Sequence, residues 1–187
     1  MKMNRLITIV APLLLALAGC GGGSGGGPTP PPPPPPPPPV TKTEAYQFLN
    51  QGSFGATEAE AERVIAMRQE AWIDEQMQNE VSLQLPHLQA LPSPQFDFQL
   101  HTDRVDIWFR NVLYGEDQLR QRVAFALSEV LVVSQLGALG NLPYADADSY
   151  DVLARTAFGN NRELLEEDTL HPALGVSRSM LGNAIPD

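Results

Sequence analysis

Residues 117–134 have the sequence DQLRQRVAFALSEVLVVS, the clearest helical pattern in the chain. Its apolar side chains recur every three or four residues, which is the period of one helix face: Leu119, Val123, Ala126, Leu127, Val130 and Val133. A buried β-strand over 130–133 is the competing interpretation, but no turn signal separates this run from the pattern before it. We therefore expect one helix over 117–134, whose second half is apolar nearly all round and lies centrally in the core.

Capping signals on both sides of this segment predict further helices. Thr57 and Glu60 form an S/T-x-x-E capping box, Asp103 is a candidate N-cap, and Pro143 can occupy the first turn of a helix. The expected helices cover about 44–49, 57–67, 70–79, 105–114, 117–134 and 143–158, followed by one after Asn160 and one from Pro172 to near Leu181. The proline-containing stretch 85–98 is expected to be irregular. The predicted class is all-α, an irregular multi-helix domain, because no convincing strand alternation occurs.

Charge and composition divide the chain in two. The first 40 residues hold 12 of the 18 prolines, 7 of the 15 glycines and the single cysteine, and they contain no acidic residue. Residues 41–187 carry 10 basic against 22 acidic side chains, a net charge of −12, and are long enough to bury one core. So acidic a domain has no electrostatic footprint for nucleic acid. One cysteine cannot form a disulfide within the chain.

The N-terminus has the pattern of an export signal. Lys2 and Arg5 precede an apolar run over 6–18 that is too short to span a bilayer. The run ends in Leu-Ala-Gly-Cys at residues 17–20, which resembles the lipobox of bacterial lipoproteins. We expect residues 1–19 to be a lipoprotein signal peptide and Cys20 to carry the lipid that anchors the chain to a membrane. An ordinary signal peptide with a chance cysteine is the alternative.

A tether over 20–42 is expected to follow the lipidated cysteine. Residues 21–27 are glycine with one serine, and residues 30–39 are all proline, so a flexible hinge precedes a stiff polyproline II rod. A spacer is favoured over a ligand for a proline-binding module, because basic or aromatic flanking residues are missing. Gly21 after the cysteine resembles the Gram-negative sorting pattern for the outer membrane, which implies a location on its periplasmic side or at the cell surface. Residues 43–187 are expected to form the helical domain.

Three blocks of the domain carry a resemblance. They are FLNQGSFGAT with AWIDEQ (48–57 and 71–76), LRQRVAFALSEV (119–130), and YDVLARTAFGNNRELL with TLHPALG and SMLGN (150–165, 169–175 and 179–183). In order and spacing they resemble a large bacterial family known as domain of unknown function 1800. The resemblance extends over 45–187 and implies the N-terminal part of a longer helical fold, because family members continue beyond the last block. It implies no activity.

A carboxylate and imidazole cluster is the first candidate site. His171 lies four positions after Glu167 and three after Asp168, so all three would lie on one helix face. Such groups can share a divalent metal ion, although one helix supplies only part of a coordination sphere. The alternative is that His171 packs beside Pro172 and that the acids form a solvated face. No other cofactor is indicated.

Two further charged clusters have structural explanations. The spacing of Asp146, Asp148 and Asp151 is reminiscent of a calcium loop, but the glycine and glutamate of an EF-hand are missing, and acids at a helix start suffice. Arg120, Arg122 and Glu129 lie on the predicted core helix and would form a buried charge network. Structural ion pairs are favoured there over a site for a substrate anion.

Two functions follow as hypotheses. The first is a membrane-tethered extracytoplasmic interaction or assembly module with a protein partner in the cell envelope. The second is an extracytoplasmic metal-dependent hydrolase that uses His171 with Glu167 or Asp168 and is completed by a missing C-terminal part. No nucleophile elbow, P-loop, dinucleotide fingerprint or zinc-protease motif occurs in the sequence.

Overall fold

The computed structural model describes residues 37–92, 97–178 and 180. This part of the chain contains nine helices and no strand, so the all-α prediction is confirmed. The helices are α1 (Lys42–Gly52), α2 (Glu58–Met67), α3 (Gln69–Gln78), α4 (Leu85–Gln89), α5 (Asp97–Tyr114), α6 (Gln118–Ser128), α7 (Pro143–Thr156), α8 (Asn161–Leu170) and α9 (Pro172–Ser177). They belong to one compact unit that begins at Pro38. None of these helices is both long and apolar enough to cross a membrane.

Several sequence predictions concern residues outside this description. The signal sequence, Cys20 and the tether through Pro36 are among them, as are the proline-rich residues 93–96 and the block at 181–183. They remain predictions from the sequence.

Local capping determines where several helices begin. Thr57 caps α2 by accepting the Glu60 N–H at 3.2 Å, but the Glu60 side chain binds Arg63 and Trp72 instead of completing the capping box. A complete box is present at α1, where Thr41 and Glu44 cap each other. Helices α7 and α8 begin as predicted.

The predicted start of α5 and the predicted end of α6 are both wrong. Helix α5 starts at Asp97, so Asp103 lies inside the helix and accepts a hydrogen bond from Gln99 instead of acting as the N-cap. Helix α6 ends at Ser128, and beyond it Val130 and Val132 are 75% and 54% exposed. Residues 129–134, the predicted continuation of this helix, include three valines, and β-branched residues favour helices less. Helix α6 itself packs against α1, α3, α5 and α7.

The core consists of three clusters of buried side chains. The first joins α1, α2 and α3 around Trp72, whose ring meets that of Phe48 edge to face at 5.2 Å. The second joins α4, α5 and α7, and the third joins α6, α7 and α8. Helix α7 takes part in two clusters and also contacts α9.

The central helix is therefore α7. The prediction from the sequence, which placed the segment 117–134 at the centre, is wrong. Eight of its residues are buried, against two in α6. Three of the eight, Asp146, Ser149 and Asp151, are polar. This arrangement places polar side chains in the middle of the fold, beside the cleft described next.

Candidate functional site

A cleft of about 360 Å³ lies among α5, α6, α7 and α8 and the segment 129–133 that follows α6. Apolar side chains form much of its lining: Val105, Trp108, Phe125, Leu131, Val132, Val133 and Leu153. Polar side chains complete it: Arg104, Ser128, Glu129, Asp146, Ser149, Tyr150 and Asp168. A cleft of this size, with mixed lining, has the character of a small-ligand or side-chain pocket.

Arg104 and Asp146 form an ion pair at one side of the cleft. The Arg104 Nε and Asp146 Oδ2 atoms are 2.9 Å apart, but they lack the alignment of a hydrogen bond. The other guanidinium nitrogens of Arg104 donate to the amide oxygens of Gln84 and Gln135 at 3.3 and 3.4 Å. Asp146 is only 6% exposed, and burial raises its pKa although Arg104 and His101 oppose this effect.

Two other polar groups in the cleft form no hydrogen bond with the described residues. The Tyr150 hydroxyl is enclosed, and burial raises its pKa to about 12. The nearby Trp108 indole favours the ionised phenol, but it forms no hydrogen bond of good geometry with the hydroxyl. Asp168 is 5% exposed, and no hydrogen bond from the described residues reaches its carboxylate. Burial raises the pKa of Asp168 as well, against the attraction of Arg178 and His171.

Two buried carboxylates hold the segment 82–85 in place. Asp151 accepts the backbone N–H groups of Gln84 and Leu85, both at 2.8 Å. Asp117 accepts the backbone N–H of Ser82 at 2.9 Å and its hydroxyl at 2.7 Å. Since both aspartates are completely buried, the chain between α3 and α4 is fixed by polar side chains in the interior.

A family model described as "Protein of unknown function (DUF1800)" matches residues 47–184. The chain belongs to the DUF1800 family. No curated protein and no solved structure matches the chain. The DUF1800 match begins within α1 and includes every residue that lines the cleft, so the cleft is part of the family domain.

The predicted metal cluster of this DUF1800 domain is divided by the end of α8. His171 lies just beyond Leu170, in extended backbone, so it does not share a helix face with Glu167 and Asp168. Its Nε2 is 3.1 Å from the Asp148 carboxylate, and its Nδ1 accepts the N–H of Ala173 at 3.2 Å. The histidine thus caps α9. Of the three predicted ligands, Asp168 lines the cleft, whereas Glu167 is exposed.

The described part of the chain contains no group of three or more His, Cys, Asp and Glu residues arranged to hold a metal ion. Both ring nitrogens of His171 already have partners, so binding a metal there would break the cap of α9 or the pair with Asp148. A metal site on these residues stays a prediction from the sequence.

The predicted charge network on α6 has different partners from those expected. Arg120 donates to the backbone oxygens of Ala154 and Met77, both at 3.3 Å, and its guanidinium lies 4.4 Å from the centre of the Phe158 ring. Arg122 lies over the Phe54 ring at 5.4 Å. No ion pair between described residues includes Arg120, Arg122 or Glu129. Glu129 is exposed beyond the end of α6, at the rim of the cleft.

The three aspartates at 146, 148 and 151 all lie on α7, and each has a separate partner. Asp146 pairs with Arg104, Asp148 with His171 and Arg155, and Asp151 with the backbone at 84–85. Sequence reasoning missed Asp151 as an interior residue. A signal was present, because Asp151 has the helical spacing of Ala147 and Ala154, which are both buried.

Proposed function

We propose that this DUF1800 chain is a lipid-anchored binding module of the cell envelope, and that the cleft among α5 to α8 receives its ligand or partner. The observation that carries the proposal is the Asp168 carboxylate, which is 5% exposed in a cleft with apolar walls and accepts no hydrogen bond from the described residues. Burial raises the pKa of Asp168 in spite of the attraction of Arg178 and His171, so the cost of burying its charge is only partly offset, and a bound ligand would recover part of that free energy.

The anchor is supported by the sequence pattern of the N-terminus. Positive charge, an apolar run and Leu-Ala-Gly-Cys follow one another in the order of a lipoprotein signal, and a glycine and proline tether comes after them. Because twelve residues from 28 to 39 in the polyproline II conformation span about 37 Å at about 3.1 Å each, the domain would be held away from the bilayer. The location we propose is the outer membrane.

Changing Cys20 to serine tests the anchor. The expected result is that the unchanged chain sediments with membranes and incorporates a labelled fatty acid, whereas Cys20→Ser does neither. A control substitution, Ser24→Ala, leaves the cysteine in place and should behave as the unchanged chain. If Cys20→Ser remains in the membrane fraction, the anchoring part of the proposal is wrong.

Single introduced cysteines test the cleft as the binding surface. Val132 at the cleft rim is 54% exposed, and Met77 on α3, away from the cleft, is 48% exposed. Each is changed to cysteine, and the rate of maleimide labelling is compared between isolated envelopes and the purified full chain. We expect Val132→Cys to react at least about five times more slowly in envelopes and Met77→Cys to react equally in both. Equal rates at Val132→Cys would contradict a cleft partner in the envelope.

The metal-dependent hydrolase has less support. Its three residues are Glu167, which is exposed, Asp168 in the cleft, and His171, whose ring nitrogens are both engaged. A metal titration of the full chain, with His171→Ala as the control, tests it directly. Stoichiometric metal that is lost in His171→Ala would favour the hydrolase over the binding module.

A further inference from the structure

The cleft contains more negative than positive side chains. Glu129, Asp146 and Asp168 line it, and Arg104 is the cationic side chain in its lining. Arg104 is already engaged by Asp146 at 2.9 Å and by two amide oxygens. Asp168 is attracted by Arg178 and His171, which lie outside the cleft lining, but its pKa is still raised, and Glu129 at the rim forms no ion pair with a described residue. An anionic ligand would meet repulsion here, whereas a cationic one would be attracted.

The buried carboxylates determine how strong that attraction would be. Asp168 is 5% exposed and Asp146 6%, and burial raises the pKa of both above its ordinary value, which means that the protein environment disfavours the charged forms. A cation that reaches Asp168 replaces the water that the carboxylate has lost. Charge-assisted hydrogen bonds of this kind are stronger than those between neutral groups.

The rest of the lining indicates what carries the cation. Val105, Trp108, Phe125 and Leu131 form apolar walls beside the acids, so the body of the ligand is aliphatic. The acceptors for its charged end in the lining are the Asp168 carboxylate on α8 and Glu129 after α6, and the Tyr150 hydroxyl on α7 is enclosed without a hydrogen-bond partner. A primary ammonium group suits them, because it offers three donors around one compact charge.

We propose that the cleft binds a primary alkylammonium group, with its nitrogen at the Asp168 carboxylate and its carbon chain along Val105 and Trp108. The group belongs either to a small aliphatic amine or to a lysine side chain of a protein. This proposal rests on the proposed function, in which the same cleft is the binding site, and adds the chemistry of what binds. The net charge of −12 over residues 41–187 also attracts basic ligands.

Calorimetric titration of the full chain in detergent tests this chemistry. The probes are n-pentylamine and n-pentanol, which have the same carbon chain with and without the charge. We expect the amine to bind at least about tenfold more tightly than the alcohol. Nα-acetyl-lysine methylamide is the third probe: tighter binding than pentylamine assigns the ligand to a protein lysine, and weaker binding assigns it to a small amine.

Asp168→Asn, with Glu167→Gln as the matched control, locates the ammonium. The first removes the buried charge and the second an exposed charge from the neighbouring position of the same helix. We expect Asp168→Asn to weaken amine binding at least about tenfold and Glu167→Gln to change it less than about twofold. A thermal melt of each variant checks its fold, and if Asp168→Asn does not fold, the comparison of amine with alcohol decides the matter alone.

Specific results would overturn the proposal. Equal binding of pentanol and pentylamine would show that the cleft does not select a cation, although it could still be a binding site. Unchanged amine binding in a folded Asp168→Asn variant would show that the ammonium group does not bind at Asp168. If no amine binds, the proposal that the ligand is an alkylammonium is wrong. The labelling of Val132→Cys in envelopes depends on none of these probes, so a failure of the proposed function is recognised separately.

Discussion

The carboxylate of Asp151 on α7 accepts a hydrogen bond from the backbone N–H of Gln84 at 2.8 Å, across 67 positions of the sequence. Its second oxygen accepts the N–H of Leu85 at the same distance. Both N–H groups belong to the start of α4, where no preceding carbonyl within the helix is available to them. One side chain of the central helix therefore caps another helix from the interior.

Replacing Asp151 by alanine should destabilise the domain. Two buried N–H groups would lose their acceptors, and each such group costs about 1–3 kcal/mol, so we expect a loss of about 3 kcal/mol in the free energy of unfolding. Urea unfolding of the full chain, followed by circular dichroism, measures it. Asp106→Ala on the exposed side of α5 is the control and should change stability by less than about 0.5 kcal/mol. Similar values for both variants would contradict the capping role.

Asp151 should also make the stability depend on pH. Burial raises the pKa of Asp151 from 3.8 to about 6, because the desolvation of the carboxylate outweighs its two hydrogen bonds. The folded state then holds the proton more tightly than the unfolded state does. The stabilising contribution is full below about pH 4 and is lost as the pH rises through about 6.

The comparison with Asp151→Asn isolates this effect, because asparagine does not titrate in this range. We expect the stability of the unchanged chain, relative to Asp151→Asn, to decrease between about pH 4 and about pH 7. Thermal melts of both chains across this range provide the measurement. A difference that stays constant with pH would show that Asp151 has the same pKa in the folded and unfolded states.

Gly115 should be intolerant of a side chain. A Cβ atom there would lie 2.5 Å from the Asn111 backbone oxygen and 2.9 Å from Asp117 Oδ1, which is closer than real Cβ contacts. Gly115→Ala is therefore expected to cost at least about 2 kcal/mol, because backbone and a buried carboxylate must move. Gly55→Ala is the matched control, since a Cβ there meets nothing within 4 Å. Equal melting temperatures for the two variants would contradict the close packing around residue 115.

Asn160 should contribute to stability as the N-cap of α8. Its side-chain oxygen accepts the N–H groups of Arg162 and Glu163, both at 3.0 Å. Asn160→Ala is expected to lower the free energy of unfolding by about 1 kcal/mol, whereas Asn160→Asp should retain most of it, since aspartate caps equally well. Chemical unfolding of both variants measures the difference. If Asn160→Asp loses as much as Asn160→Ala, the cap is not the source of the stability.

Features that depend on a few neighbouring residues could be predicted from the sequence. Thr57 and Asn160 cap helices, and Pro143 lies in the first turn of α7, because these signals act within one helical turn. The early end of α6 could not be predicted in this way. Val130 and Val133 continue the helical spacing, but α6 stops before them, and Val130 is 75% exposed.

The cleft was harder to predict than the helices. Asp168 was a candidate because of its spacing from His171, yet the two residues separate at the end of α8, and Asp168 belongs instead to a cleft with Arg104 and Tyr150. Those two residues come from α5 and α7, far apart in the sequence. No local sequence pattern predicts which tyrosine hydroxyl or carboxylate will be buried without a hydrogen bond after folding.

The amino-acid sequence by itself determined the all-α class, several helix starts and, through its three blocks, membership of the DUF1800 family. Only the tertiary structure decided that α7 is central and that Asp117 and Asp151 are buried. The reason is physical: a capping signal stabilises its own turn whatever surrounds it, but the free energy of a buried carboxylate depends on donors that distant parts of the chain bring to it.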